Sequence, residues 1–295
     1  MSLFIGALSS CQASTDTANN AKIDENGGNN TPNMSVLDMI YCKPDNLAFI
    51  AAHRGRDKNT AYPENALESL QALYEKSVLF AEIDIARLKD GTLILAHDGV
   101  WERISNGKGP LANTTWTQSQ KYLLKNAKGQ ITPYHPSKFT TVLEWAKYKM
   151  VLEIDFKSSV SERIVIDKIK SANMLNQVIL ISYSKKQALR LQSIAPEAAI
   201  SIKVSKYGDF KAYQVSGLNL DTALGWIGKQ KLDRSLSGKF THNNIPILSS
   251  KDYRSYDKQT LLPDLIVTDY AISAQKDFQM NASDLARMRT CMNNR

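Results

Sequence analysis

The stretch from His53 to Asp98 limits what this chain can become more than any other. It reads His53-Arg54-Gly55, Pro63-Glu64-Asn65, Glu82-Ile83-Asp84, Lys89-Asp90-Gly91 and His97-Asp98, with the charged groups at the ends or edges of short apolar runs. Leu47 to Ala52 has strand length and delivers His53 at its C-terminal end, and Leu93 to Ala96 does the same for His97. Phe80 to Ile85 is apolar apart from Glu82 and Asp84. A strand puts residues two apart on one face, with roughly 7 Å between their α-carbons.

Two carboxylates on one buried face are costly unless something neutralises them. All-oxygen ligation points to a hard divalent ion, Mg2+ or Ca2+, rather than to zinc, which favours histidine and cysteine. The same spacing also suits a strand edge whose acids are solvated or paired to Arg54 or Arg87. A single histidine at a strand end is equally at home as a hydrogen-bonded structural residue; two of them shift the balance towards chemistry.

A chain of 295 residues with 43% hydrophobic content fits one barrel domain of roughly 250 residues. Strand candidates follow at Met150 to Phe156, Gln177 to Ser182, Ala198 to Val204, Val215 to Leu220, Ile245 to Ser249 and Leu265 to Thr268. Helical patterns lie between most of them: Asn65 to Lys76, Val160 to Ala172 and Lys185 to Ile194. Alternating βα units in this number predict an α/β fold, a (β/α)8 TIM barrel. An excursion over 99–149, with helical patterns near 117–125 and 140–149, forms a short insertion after the second strand.

Residues 1–11 form a separate unit. Leu3 to Leu8 is apolar and leads into Leu8-Ser9-Ser10-Cys11, which resembles a bacterial lipoprotein signal with acylation at Cys11, although a basic leader is missing. Residues 12–35 are polar with almost no apolar content and predict a disordered tether, placed over 12–40, leaving 41–295 as the barrel domain. The expected location is periplasmic, on a lipid anchor at the outer membrane. Cys42 and Cys291 remain; barrel closure can bring them together as a disulfide, or they stay apart as two thiols. The net charge of +8 suits anionic partners, or is simply a lysine-rich surface. No basic block with interleaved aromatics occurs, so nucleic acid is not an expected partner. No run reaches the about 18 apolar residues a membrane span needs.

His53-Arg54-Gly55, Pro63-Glu64-Asn65, Glu82-x-Asp84, Lys89-Asp90-Gly91 and His97-Asp98, in this order, resemble the glycerophosphodiester phosphodiesterase family, and the likeness runs thinly on to Asp269. The resemblance implies that His53 and His97 are the acid–base pair. It implies that Arg54 and Lys157 hold substrate phosphate, and that Glu82, Asp84 and Asp155 bind one divalent cation with Glu64 in or beside its shell. Family members more often have glutamate then lysine on the third barrel strand; here Asp155-Phe156-Lys157 keeps the register with a shorter acid, and Glu153 lies one layer deeper as an alternative ligand or a partner for Lys157. In the family's scheme the glycerol 2-hydroxyl attacks phosphorus and water opens the cyclic phosphate, giving glycerol 3-phosphate and an alcohol. Lys203 either touches substrate or is solvated, and Trp226 either walls the alcohol pocket or packs between barrel and helix. Two alternatives stand beside glycerophosphodiester hydrolysis: a related phosphodiesterase acting on lysophospholipid or phosphatidylinositol, and an envelope binding module without turnover.

Overall fold

The computed structural model describes residues 35–256 and 261–293. Among them the chain forms nine strands: β1 Phe49–Ala52, β2 Phe80–Arg87, β3 Leu93–Leu95, β4 Val151–Phe156, β5 Val178–Ile181, β6 Ala199–Lys203, β7 Ala223–Trp226, β8 Ile247–Ser249 and β9 Leu265–Thr268. Eight are parallel in the order β1-β9-β8-β7-β6-β5-β4-β2, and β1 also pairs with β2, which closes the (β/α)8 barrel. β3 stands outside that ring, antiparallel on the upper half of β2.

The strands are buried on both faces, and their alternation sorts two cores. Ile50, Ala52, Ala81, Ile83, Leu152 and Ile154 point outward under the helices, whereas Phe49, Ala51, Phe80, Val151 and Leu265 point into the barrel. Glu82 and Asp84 follow Phe80 on the inward face of β2, and Glu153 and Asp155 follow Val151 on that of β4. Register puts Glu82 beside Glu153 and Asp84 beside Asp155. The lower barrel is therefore apolar and its C-terminal mouth acidic.

The helix Val36–Tyr41 and the C-terminal helix Ala282–Asn293 meet beneath the barrel, where Val36, Ile40 and Met288 join Phe49 and Phe80 in one apolar cluster. This corrects the tether boundary: Ser35 to Ile40 are ordered, because Ser35 caps the helix at Asp38 N and Val36 and Ile40 bury their side chains. Cys11 and the rest of the expected signal and tether lie outside the described residues. Cys42 and Cys291 are joined as a disulfide with their α-carbons 5.6 Å apart. Among the described residues no helix is long and apolar enough to cross a membrane.

Two elements differ from the sequence expectation. Val215 to Leu220 is not a strand: it is the end of the helix Tyr207–Val215 and the turn behind it. Gly217, at φ +81°, donates to Gln214 O, and Leu218 donates to Tyr213 O, the hydrogen-bond pair of a left-handed helix stop. The strand comes later, at Ala223–Trp226. The helix expected near 117–125 is a single turn, Trp116–Ser119, within an insertion that packs Trp101, Ile104 and Leu111 against Ile94 and Leu88.

The disulfide closes a loop across a sequence separation of 249 residues, which caps the entropic stabilisation at roughly 5 kcal/mol. Cys42→Ser is expected to lower the Tm measured without reductant, and added reductant to lower wild type but not the variant. Equal melting of wild type with and without reductant contradicts this.

Candidate active site

The turn after β1 places the first group of side chains. Arg54 and Gly55 both take left-handed backbone, at φ +54° and +59°. A β-carbon on Gly55 would lie 2.8 Å from Leu70 Cδ2, so the close approach as well as the turn requires glycine. For Arg54 the conformation costs about 1 kcal/mol, and the gain is an amide aimed into the mouth, donating to Glu82 Oε2 at 2.7 Å. Asp57 fixes the following loop by accepting from the amides of Asn59 and Ile272, each at 2.8 Å.

At the centre, one carboxylate oxygen from each of Glu82, Asp84 and Asp155 lies within 4.8 Å of the others. Asn65, itself at φ +53°, brackets Asp84: its Nδ2 donates to Oδ2 at 2.7 Å and its Oδ1 accepts from the Asp84 amide at 3.0 Å. Lys157 Nζ lies 2.6 Å from Asp84 Oδ1 and 2.5 Å from Asp155 Oδ2. Burial works against its charge, yet the two aspartates hold the ammonium above its usual range. Burial, followed by repulsion from Asp84, pushes Glu82 well above the carboxylate range despite the Arg54 amide. Asp155 Oδ1 is buried and has no hydrogen-bond partner among the described residues. Three close carboxylates, one of them with an orphaned oxygen, are a donor set that fits a hard divalent cation, while the Lys157 ammonium offsets part of their charge and is no ligand.

Both histidines are held by the same nitrogen. His53 Nδ1 lies 3.0 Å from Asp269 Oδ1, and Lys58 Nζ reaches the other oxygen at 2.5 Å. His97 Nδ1 lies 2.7 Å from Asp98 Oδ1, and Arg103 Nε pairs with Oδ2. A carboxylate at Nδ1 assigns the proton there, leaving Nε2 as the nitrogen for proton transfer. The hydrogen bond from Arg103 leads the interactions that lower the Asp98 carboxyl to about 2, so it stays ionised. Asp269 is likewise held low: burial opposes ionisation, but hydrogen bonds from His53 and Lys58 outweigh it.

Glu64 is outside the group of acids whose oxygens lie within 4.8 Å of one another. Its carboxylate pairs with Arg54 Nη1 at 3.2 Å, Arg56 Nη2 at 3.4 Å and Arg103 Nη2 at 2.6 Å. Glu153 lies one layer below Asp155, only 1% exposed, with Oε1 unpartnered, and burial pushes it up to about 8. It does not pair Lys157. Trp226 ends β7 on the inward side, packed on the barrel-interior cluster and not under a helix, and its register partner Lys203 ends β6 exposed at the rim. Lys203 and Tyr183 line a cavity of about 460 Å3 on that side; Tyr183 faces Asp155, and burial followed by that charge raises its phenol. Sequence alone does not reveal Lys58, Arg103 or Tyr183, nor that Asp269, where the family likeness ends, partners His53. Asp98 carried a local signal, its place next to His97.

The sequence profile of the Glycerophosphoryl diester phosphodiesterase family matches residues 53–217, more than half of the chain. The chain belongs to this family. A glycerophosphodiester phosphodiesterase from Caldanaerobacter subterraneus is 25% identical over 163 residues, covering 52% of this chain and 65% of that protein. The chain thus spans less than two thirds of that curated relative's length. The crystal structure of a family member from Parabacteroides distasonis superposes with a TM-score of 0.73 at 23% identity, covering 82% of this chain and 91% of that one. An Oleispira antarctica phosphodiesterase, solved with the product sn-glycerol-3-phosphate, gives 0.63 at 19% identity over 79% and 98%. These likenesses establish the barrel as the family's fold.

Glu153 generates a pH test. An acid raised in the folded state leaves the unfolded chain free to ionise first, so metal-free protein loses stability as pH rises from about 4.3 to about 8. Glu153→Gln in chelator is expected to match wild type in Tm near pH 4 and exceed it at pH 8.5. A lower Tm than wild type at pH 8.5 contradicts the assignment.

Proposed function

We propose that the chain is a divalent-cation-dependent glycerophosphodiester phosphodiesterase, releasing glycerol 3-phosphate and an alcohol. The observation that carries this is the pairing of two histidines, each anchored through Nδ1, with three converging carboxylates at one barrel mouth. Glu82, Asp84 and Asp155 are the residues that would hold the cation, Mg2+ or Ca2+, which supplies charge neutralisation at phosphorus.

This chain's own groups supply the rest. Arg54 and Lys157 offer cations to the non-bridging phosphoryl oxygens. One imidazole Nε2 takes the proton of the glycerol 2-hydroxyl as it bonds to phosphorus. The other, protonated, gives a proton to the alcohol oxygen as the P–O bond breaks. Opening of the cyclic phosphate by water reverses the two roles and restores both. Asp269 and Asp98 keep each ring in the productive tautomer and stabilise its cationic form. An oxidising compartment such as the periplasm suits the Cys42–Cys291 bridge, and placement there on a lipid at Cys11 is part of the same proposal.

Release of glycerol 3-phosphate from glycerophosphoethanolamine is the test. Chelator is expected to abolish it, and His53→Ala and His97→Ala each to lower kcat by about 10²- to 10⁴-fold with little change in KM. Full activity in chelator, or in His53→Ala, would remove the mechanism. Headgroup release from lysophospholipid faster than from glycerophosphoethanolamine would favour a lipid substrate instead.

A further inference from the structure

Beside the acidic centre, the insertion and the turn after β1 enclose a cavity of about 180 Å3 lined by Arg56, Glu64, Arg103, Ile104, Lys125 and Asn126. Asn126 also bridges to Pro63, which fixes the insertion against the segment that carries Glu64. Arg56 is the unusual member. Its side chain is only 7% exposed, its sole polar contact is Nη2 to Glu64 at 3.4 Å, and Nε and Nη1 have no partner among the described residues. A guanidinium carries five donors and no acceptor, and burying it without acceptors is costly.

Glu64 cannot meet that demand. Arg103 donates to both of its oxygens, at 2.6 and 3.1 Å, and Arg54 takes a further share. Three guanidinium groups thus crowd one carboxylate; of the three only Arg103 has a second acid, Asp98, which it shares with His97, so positive charge is in excess beside the cavity. Lys125, whose Nζ rests on Glu102 O at 2.6 Å, adds another cation at the rim. The space exceeds several water volumes of about 30 Å3 each, enough for a phosphoryl group.

We propose that this cavity is a second oxyanion site, which takes a phosphoryl group on Arg56, Arg103 and Lys125 next to the catalytic pair. It is separate from the acids and Lys157 at the barrel centre; Glu64–Arg54 joins it to Glu82, and Arg103–Asp98 joins it to His97. The anion is either a distal phosphoryl on the substrate's alcohol or free phosphate. The site itself does not depend on the proposed activity; only the first of those two sources does.

Calorimetric titration of inorganic phosphate into the full chain, in low-salt buffer with chelator, is expected to show saturable binding. Arg56→Gln should weaken it about tenfold, as loss of charge-assisted hydrogen bonds implies. Lys125→Gln, outside the buried ion pairs, should weaken it about threefold and covers the case in which Arg56→Gln misfolds. No binding, or binding that Lys125→Gln and folded Arg56→Gln leave unchanged, overturns the site. The second arm compares kcat/KM for bis(glycerophospho)glycerol, which carries a second phosphoryl, with that for glycerophosphoethanolamine. A ratio that falls in the weakened variants assigns the anion to substrate, and a constant ratio assigns it to free phosphate. If neither diester is cleaved, the proposed activity fails while the phosphate titration still decides the site.

Discussion

The repulsion among Glu82, Asp84 and Asp155 is the constraint on which the rest of the site depends. Strand register forces it: β2 and β4 pair so that acid sits beside acid in two successive inward layers. Such an arrangement survives folding only because it is answered from several directions. Lys157 answers from the end of β4, Asn65 brackets Asp84, and the strained turn at Arg54 turns its amide towards Glu82. In the lower layer Glu153 has no such answer, and burial makes the neutral acid its resting form at neutral pH. Strain at Arg54 and Asn65 thus falls where charge must be controlled.

Barrel closure converts this local problem into a site assembled from the whole chain. Asp269, at the end of the last strand, reaches His53 at the end of the first because β9 pairs with β1. Below, the two end helices and their disulfide seal the opposite opening, so the apolar lower layers stay dry and the mouth is the wet, charged end. The scaffold therefore separates stability at the bottom from chemistry at the top.

Much of this was legible in the amino-acid order, and the exceptions have physical causes. Seven of the eight barrel strands lie on the short apolar stretches where the sequence pattern expects strands. The sixth ring strand in chain order, β7, reads Ala-Leu-Gly-Trp, while the Val-Ser-Gly-Leu-Asn-Leu before it alternates like a strand but contains the glycine that stops a helix. Glu82 and Asp84 were visible because period 2 fixes a shared face, whereas Asp155 was chosen over Glu153, on the same face, by the family register. Glu64, expected in or beside the cation's shell, is held by three arginines, one of them from the insertion, and local order does not show their convergence. Asp269 closes the family likeness, yet nothing local shows that it meets His53, 216 residues away.

The Arg54, Arg56 and Arg103 cluster extends this logic outward, since one carboxylate, Glu64, organises three guanidinium groups. The acids remain the centre, and the most direct test is calorimetric titration of Mg2+ and Ca2+ into wild type, Asp84→Asn, Asp155→Asn and Glu153→Gln. The account predicts one ion per chain, lost in Asp84→Asn, weakened in Asp155→Asn and retained in Glu153→Gln. Undiminished binding in Asp84→Asn, or loss only in Glu153→Gln, would contradict it.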